Sequence, residues 1–256
     1  MNLQGKVAIV TGADSGIGKA IAHRFARDGA NVVVDYGSKA DQAHEVVAAL
    51  EAIGAKAFAI QCDVSDPEQV ETLISETVEK FGRLDILVNN AGIEKKSKFV
   101  DMPEADWHEI IAVNLTGPFL ASQAAAKQMI AQGGDGGRII NISSVHEDLP
   151  MITNSAYCAA KGGLRMLMRT IAVELAPHKI LVNNIAPGAV FTPIDAGVEN
   201  DPALMKQLLA EIPLERMGRP DEIAEMAAFL ASDAASYSTG STFFVDGGMI
   251  RQAGSL

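Results

Sequence analysis

Val7-Ala8-Ile9-Val10-Thr11-Gly12-Ala13-Asp14-Ser15-Gly16-Ile17-Gly18 decides how the rest of the chain is read. Four apolar residues run into a glycine-rich turn, and an amphipathic segment, Gly18–Arg27, follows. The apolar run predicts a strand and the segment behind it a helix. Glycine at the junction permits a tight turn and close approach of backbone to a ligand. A helix start aimed into that turn offers unpaired N–H groups and a positive dipole end, which suits a pyrophosphate. Three residues separate Gly12 from Gly16, so the spacing differs from G-x-G-x-x-G.

Outward from this point the same alternation repeats. Val7–Val10, Asn31–Val34, Ala57–Ile60, Leu84–Val88, Arg138–Ile142 and Ile180–Ile185 read as strands. They are mostly apolar without alternation, as strands covered on both faces are. Gly18–Arg27, Ala40–Ile53, Pro67–Phe81, Glu104–Ala131 and Ser155–Leu175 read as helices between them. Asp66-Pro67 supplies a side-chain cap and a first-turn proline, and Gly29, Gly54 and Gly82 follow three helices where a C-terminal cap belongs. The order predicts one α/β domain over 1–256, a doubly wound parallel sheet of Rossmann type with helices on both faces. Gly133–Gly137 reads as a surface loop, and the irregular stretch from Pro187 to about Asp201 as a mobile substrate loop.

Composition narrows the function. Hydrophobic residues make up 48% of the 256 and charged residues 21%, an ordinary globular balance that argues against disorder. The formal charge of −11 argues against nucleic acid and anionic membrane as partners. Cys62 and Cys158 are too few for a disulfide scaffold, and no Cys/His spacing suggests a metal. No apolar run reaches ~18 residues, and the start lacks the pattern of a signal peptide, so a cytoplasmic protein is expected.

Further pieces follow in order: Asp63-Val64, Asn89-Asn90-Ala91-Gly92, Asn114, Ser144, Tyr157 with Lys161, Pro187-Gly188 and Val245-Asp246-Gly247-Gly248. With Thr11–Gly18, this series resembles the classical short-chain dehydrogenase/reductase family over nearly the whole chain. The resemblance implies an NAD(P)-dependent oxidoreductase that interconverts an alcohol and a carbonyl. Cofactor contacts would then come from Gly12, Asp14, Ser15, Gly16, Ile17 and Gly18, with Asp63 and Val64 against the adenine. Asn90, Ala91 and Gly92 would line the cofactor, Tyr157 and Lys161 would meet it, and Pro187, Gly188, Val190 and Thr192 would flank the nicotinamide.

The choice of cofactor rests on Val34-Asp35-Tyr36-Gly37-Ser38-Lys39. An acid at the end of the second strand hydrogen-bonds ribose hydroxyls and repels a 2′-phosphate. Asp35 stands one residue before Tyr36, where the family's acid would align. The basic groups of NADP-type relatives are missing at Gly37 and Ser15. NAD is the expected cofactor, with Ser38 and Lys39 leaving NADP open.

Tyr157 and Lys161, four apart, share one helical face. An ammonium beside a phenol lowers the phenol pKa from ~10 toward the range of a useful general acid or base. Ser144 ends the fifth strand, where open α/β sheets place ligands. By resemblance its hydroxyl holds the substrate oxygen, Lys161 binds the nicotinamide ribose, and Asn114 connects the lysine to solvent through water. Ser144 and His146, only two apart and without a Gly-x-Ser-x-Gly elbow, do not fit acyl transfer.

Several segments most resemble the glucose 1-dehydrogenases: Ile93-Glu94, Ser143-Ser144-Val145-His146-Glu147 and Asp246-Gly247-Gly248-Met249 among them. Glu94, His146 and Glu147 are the candidate sugar contacts, since carboxylate and imidazole suit several hydroxyls. Leu149–Asn154 departs from that group by lacking an aromatic residue, and Lys95, Lys96 and Lys98 follow Glu94 directly. A ketoreductase of acyl-thioesters or other ketones is the alternative in the same class, and a non-catalytic nicotinamide-binding regulator the alternative outside it. By resemblance the small-molecule site sits in a homotetramer joined through the long fourth and fifth helices.

Overall fold

The computed structural model describes residues 1–134, 136–192 and 201–251. Seven strands form one sheet: β1 (Val7–Val10), β2 (Asn31–Tyr36), β3 (Ala57–Gln61), β4 (Ile86–Asn89), β5 (Gly137–Ile142), β6 (Ile180–Pro187) and β7 (Thr242–Val245). Their order is β3-β2-β1-β4-β5-β6-β7, and every neighbouring pair is parallel. The chain winds outward from β1 in one direction and from β4 in the other, which leaves a crevice at the carboxyl ends of those two strands.

Helices α1 (Gly16–Arg27), α2 (Ala40–Ala52), α3 (Pro67–Phe81), α4 (Glu104–Ile111), α5 (Gly117–Ala131), α6 (Ser155–Leu175), α7 (Pro202–Ala210) and α8 (Pro220–Ala231) supply the outer layers. Strand alternation decides which layer each residue meets. Ala8, Val10, Val32 and Val34 face Phe25 of α1, Val46 and Leu50 of α2, and Ile223 and Ala227 of α8. Ile9, Val33, Leu87 and Ile139 turn the other way, onto Leu73 of α3, Ala125 and Met129 of α5 and Met168 of α6. With both faces covered, every position of β1 is buried, which explains its unbroken apolar run. Phe25 is fully buried, and truncating it to alanine is expected to cost ~3–5 kcal/mol.

The caps are as expected. Asp66 accepts hydrogen bonds from the N–H groups of Glu68 and Gln69 beside Pro67, and Gly82 ends α3 with φ of +79°. Two boundaries differ in ways that reach the site. β2 runs to Tyr36 instead of stopping at Val34, so Asp35 lies within the strand. The helix expected over Glu104–Ala131 is interrupted by a wider π turn, Ala112–Thr116, with Asn114 at its centre. Gly137 opens β5 and does not belong to the preceding loop. Residues 193–200, most of the expected substrate loop, lie outside the described residues. Among the described residues no helix is long and apolar enough to cross a membrane.

Candidate active site

The glycine turn is fixed from β4. Thr11 Oγ1 accepts hydrogen bonds from the backbone N–H of Asn90 at 2.9 Å and of Ala91 at 3.0 Å. The Asn90 carboxamide donates to the carbonyls of Thr11 and Gly12 at 2.8 and 3.1 Å. Gly12 has φ of +60°, and a Cβ there would lie 3.0 Å from Ala91 Cα. A Cβ on Gly18 would come within 2.5 Å of Asn90 Nδ2. Both positions therefore require glycine. Ser15 precedes α1 with extended backbone and gives no side-chain cap. The first-turn amides of α1 thus meet no competing side chain, and the donor set fits the pyrophosphate of a dinucleotide.

Asp35 corrects an expectation. It is 1% exposed, and its Oδ2 accepts the Gly12 N–H at 3.1 Å while its backbone carbonyl accepts from Ala13 at 2.8 Å. The cause is the extra length of β2, which draws the carboxylate inside to clamp the turn instead of leaving it free for a ribose. Burial is the main force on this group and pushes its pKa up to about 7, with Asp14 and Asp63 adding repulsion and the Gly12 N–H opposing. Tyr36 ends the strand, its ring 6.3 Å from that of His44. Asp63 is exposed and accepts hydrogen bonds from the Ser65 N–H and hydroxyl, and Val64 behind it is buried.

The four residues of the expected chemical set come from three elements. Ser144 follows β5 and its Oγ accepts the His146 N–H at 3.1 Å, while the Ser143 hydroxyl is buried apart. Tyr157 is half-buried in the first turn of α6, and Lys161 lies one turn later, fully enclosed. Lys161 Nζ donates to the Ile142 carbonyl at 2.9 Å and sits 5.5 Å from the Tyr157 ring centre. Burial lowers its pKa to about 8, and Glu147 pulls the other way. Asn114 lies in the π turn with its carboxamide paired to the main chain of Ile93, accepting at 2.9 Å and donating at 2.8 Å. Its side chain holds the loop after Gly92 in place.

The three candidate substrate contacts separate. His146 packs edge-on to Tyr157 at 6.4 Å between ring centres, and its Nδ1 is 3.1 Å from the Leu149 carbonyl. The His146 Nδ1 is thus engaged with the Leu149 carbonyl, and the contact from His146 to Ser144 Oγ is made by the backbone N–H. Glu94 accepts a hydrogen bond from Asn154 Nδ2 at 3.2 Å and keeps part of its side chain exposed. Glu147 faces inward: Asn184 Nδ2 donates to one carboxylate oxygen at 3.0 Å and Thr242 Oγ1 to the other at 2.7 Å. With no exposed side-chain surface, Glu147 is not a sugar contact as expected from the sequence. Asn154 was not singled out by sequence; a polar residue just before the Tyr157 helix was the available signal.

Beyond β6, the Gly188 N–H donates to Val245 at 3.1 Å, and a Cβ there would meet Asp246 Cα at 2.9 Å. Val190 is buried and bridges to Gly218, and Pro187 is buried at the strand end. Thr192 is the last described residue before position 193.

A family model described as enoyl-(acyl carrier protein) reductase matches residues 12–250. Glucose 1-dehydrogenase 2 of Bacillus subtilis (strain 168) is 42% identical over 249 residues, 97% of this chain and 96% of that protein. 3beta-hydroxysteroid dehydrogenase 1 of Eggerthella lenta is 45% identical over 248 residues, 97% of this chain and 95% of that protein. A crystal structure of a candidate 2-deoxy-d-gluconate 3-dehydrogenase from Agrobacterium tumefaciens, with bound NADP, superposes with a TM-score of 0.90. It is 37% identical and covers 98% of each chain.

Proposed function

The chain belongs to the short-chain dehydrogenase/reductase family of NAD(P)-dependent oxidoreductases, and from that membership we propose that it oxidises a sugar or polyol alcohol with Tyr157 as general base. The observation that carries this reading is the Lys161 ammonium buried 5.5 Å from the Tyr157 ring, with Ser144 at the end of the adjacent strand. A nicotinamide cofactor held by the Gly12–Gly18 turn would supply the hydride acceptor. Tyr157 takes the alcohol proton, and Lys161 stabilises the phenolate. Ser144 holds the substrate oxygen. Asn114 keeps the Gly92–Ile93 loop against the site through its two hydrogen bonds to Ile93.

A polyhydroxylated substrate is supported by Glu94, held by Asn154 yet partly exposed, and by His146 against Tyr157. NAD is the preferred cofactor in this reading. Asp14 and Asp63 act on buried Asp35 as like charges, so the adenosine end is acidic. Residues 15 and 37 bring no cation to offset it. Cofactor residues from the first half and reacting residues from the second serve one crevice, which suits a single domain over 1–256.

A spectrophotometric screen of glucose, other polyols, secondary alcohols and β-keto thioesters with NAD and NADP in parallel tests the reading. Turnover of a polyol with higher kcat/KM for NAD is expected. Turnover confined to keto thioesters, or a clear preference for NADP, overturns the substrate or the cofactor half respectively.

A further inference from the structure

Glu147 belongs neither to the cofactor cradle nor to the reacting set, yet the structure encloses its side chain completely. It stands at the end of a polar row that crosses four strands. Asn89, Asn141, Asn184 and Thr242 are neighbours in register on β4, β5, β6 and β7. The hydrogen bonds between them run one way. Asn89 Nδ2 donates to Asn141 Oδ1 at 2.8 Å, and Asn141 Nδ2 donates to Asn184 Oδ1 at 2.9 Å. Asn184 then donates to Glu147 at 3.0 Å, and Thr242 closes on the other oxygen at 2.7 Å. A chain of amides that each accept and pass on a hydrogen bond ends well on a group that only accepts, which a carboxylate does. The row therefore fixes the Glu147 charge within the sheet.

That charge lies against α6. Glu147 closes the short turn that Ser144 caps, and a Cβ on Gly162 would sit 3.8 Å from its carbonyl oxygen. Lys161 and Arg165 are four apart on the same face of α6. Arg165 Nε approaches the Glu147 carboxylate to 3.6 Å and its other end pairs with Asp148. From β6 and β7 the groups facing Glu147 are neutral, Asn184 and Thr242. The titratable groups around the pair are thus Lys161, Tyr157 and Arg165 on α6 and His146 and Asp148 on the Ser144 turn. An enclosed ammonium without a counter-charge tends to lose its proton.

We propose that Glu147 is a positioning residue that acts through Lys161: a fixed, buried negative charge, held by the asparagine row, that keeps the lysine charged beside Tyr157. The proposal rests on the reading of Tyr157 and Lys161 as the reacting pair. The pKa of Lys161, near 8 under opposing pulls from burial and Glu147, agrees with it.

The test needs no substrate. Protein labelled with 13C at lysine Cε is titrated by NMR, with Lys161→Met identifying the signal. In Glu147→Gln, which keeps the shape and removes the charge, the Lys161 midpoint is expected to fall by about one pH unit. Thr242→Val removes one hydrogen bond and keeps the charge, so its midpoint should stay near that of the parent. An unchanged midpoint in Glu147→Gln overturns the proposal, as does an equal fall in Thr242→Val. Should Glu147→Gln not fold, Glu147→Met, which also removes the charge and keeps the length of the side chain, serves instead. The midpoint should again fall; no movement overturns the proposal. Tyr157→Phe with full turnover in the alcohol screen would defeat the parent reading and leave the titration result intact, so the two failures are distinct.

Discussion

Lys161 and Tyr157 share one end of α6: the ammonium lies 5.5 Å from the phenol ring centre and donates to the Ile142 carbonyl. The lysine is thus anchored by the sheet, one turn along α6 from the tyrosine. Tyr157→Phe removes only the phenol hydroxyl. It is expected to lower kcat by ~10²–10⁴-fold, the usual worth of a general acid or base. Cofactor affinity, read by NADH fluorescence titration, should be retained. A variant that turns over at the parent rate removes Tyr157 from the mechanism.

Lys161 itself sets function against stability. Its folded pKa, about 8, lies below the 10.5 of the unfolded chain, with burial the larger cause. Between those values the unfolded state holds a proton that the folded state has released, so stability rises with pH across that window. Below pH 8 the full burden of the enclosed charge is present. Lys161→Met should therefore raise Tm at pH 7 more than at pH 10, while turnover falls. A Tm change of the same size at both pH values would show that the lysine charge is not strained by burial.

The architecture was legible because its signal is repeated. Each strand carries an apolar run, and glycine or Asp-Pro marks the junctions, so β1 to β6 and α1 to α3 follow from the pattern. The proposed reacting set, Asn114, Ser144, Tyr157 and Lys161, came from the family resemblance, since the four stand in that family's order along the chain. What sequence did not reveal is the direction of a side chain near a boundary. Two more residues in β2 turn Asp35 from a ribose contact into a clamp on Gly12. Glu147 was read as a sugar contact together with Glu94 and His146, but its partners are 37 and 95 residues away. Such contacts are set by strand order, which local periodicity does not encode.

Asp35 carries a pH signature of the opposite sign. Its folded pKa is about 7 against 3.8 unfolded, chiefly from burial. As pH rises through that interval the unfolded chain ionises first, so the native state loses stability until about pH 7 and no further. Asparagine at this position keeps an oxygen for the Gly12 N–H and removes the charge. Asp35→Asn should gain Tm over the parent at pH 8, by up to a few kcal/mol of stability, and much less at pH 5. A flat difference between the two pH values would mean that the carboxylate is not held out of water.

Phe119 and Ile130 on α5 and Met166 and Val173 on α6 are all at least 42% exposed. Large apolar residues gathered on two neighbouring helices mark a contact surface. These faces are expected to join four copies of the chain. Light scattering should report four times the 27.0 kDa protomer, and Met166→Glu combined with Val173→Glu should lower the mass. A parent protein that runs as a protomer removes this assembly.

Gly37 offers a direct handle on cofactor choice. It follows Tyr36 at the end of β2, and a Cβ built there meets nothing within 4 Å. Arginine can therefore enter without displacing a neighbour. Its guanidinium would stand at the acidic adenosine end, where Asp14 and Asp63 already act on Asp35. A fork of donors there suits a 2′-phosphate, for which positions 15 and 37 of the parent bring no cation. Gly37→Arg is expected to raise kcat/KM for NADP by about tenfold, corresponding to ~1.4 kcal/mol of charge-assisted binding, with little change for NAD. Parallel initial-rate measurements with both cofactors read the ratio. If the ratio does not move, selection at this end is made by another group, with Ser38 and Lys39 the next positions to change.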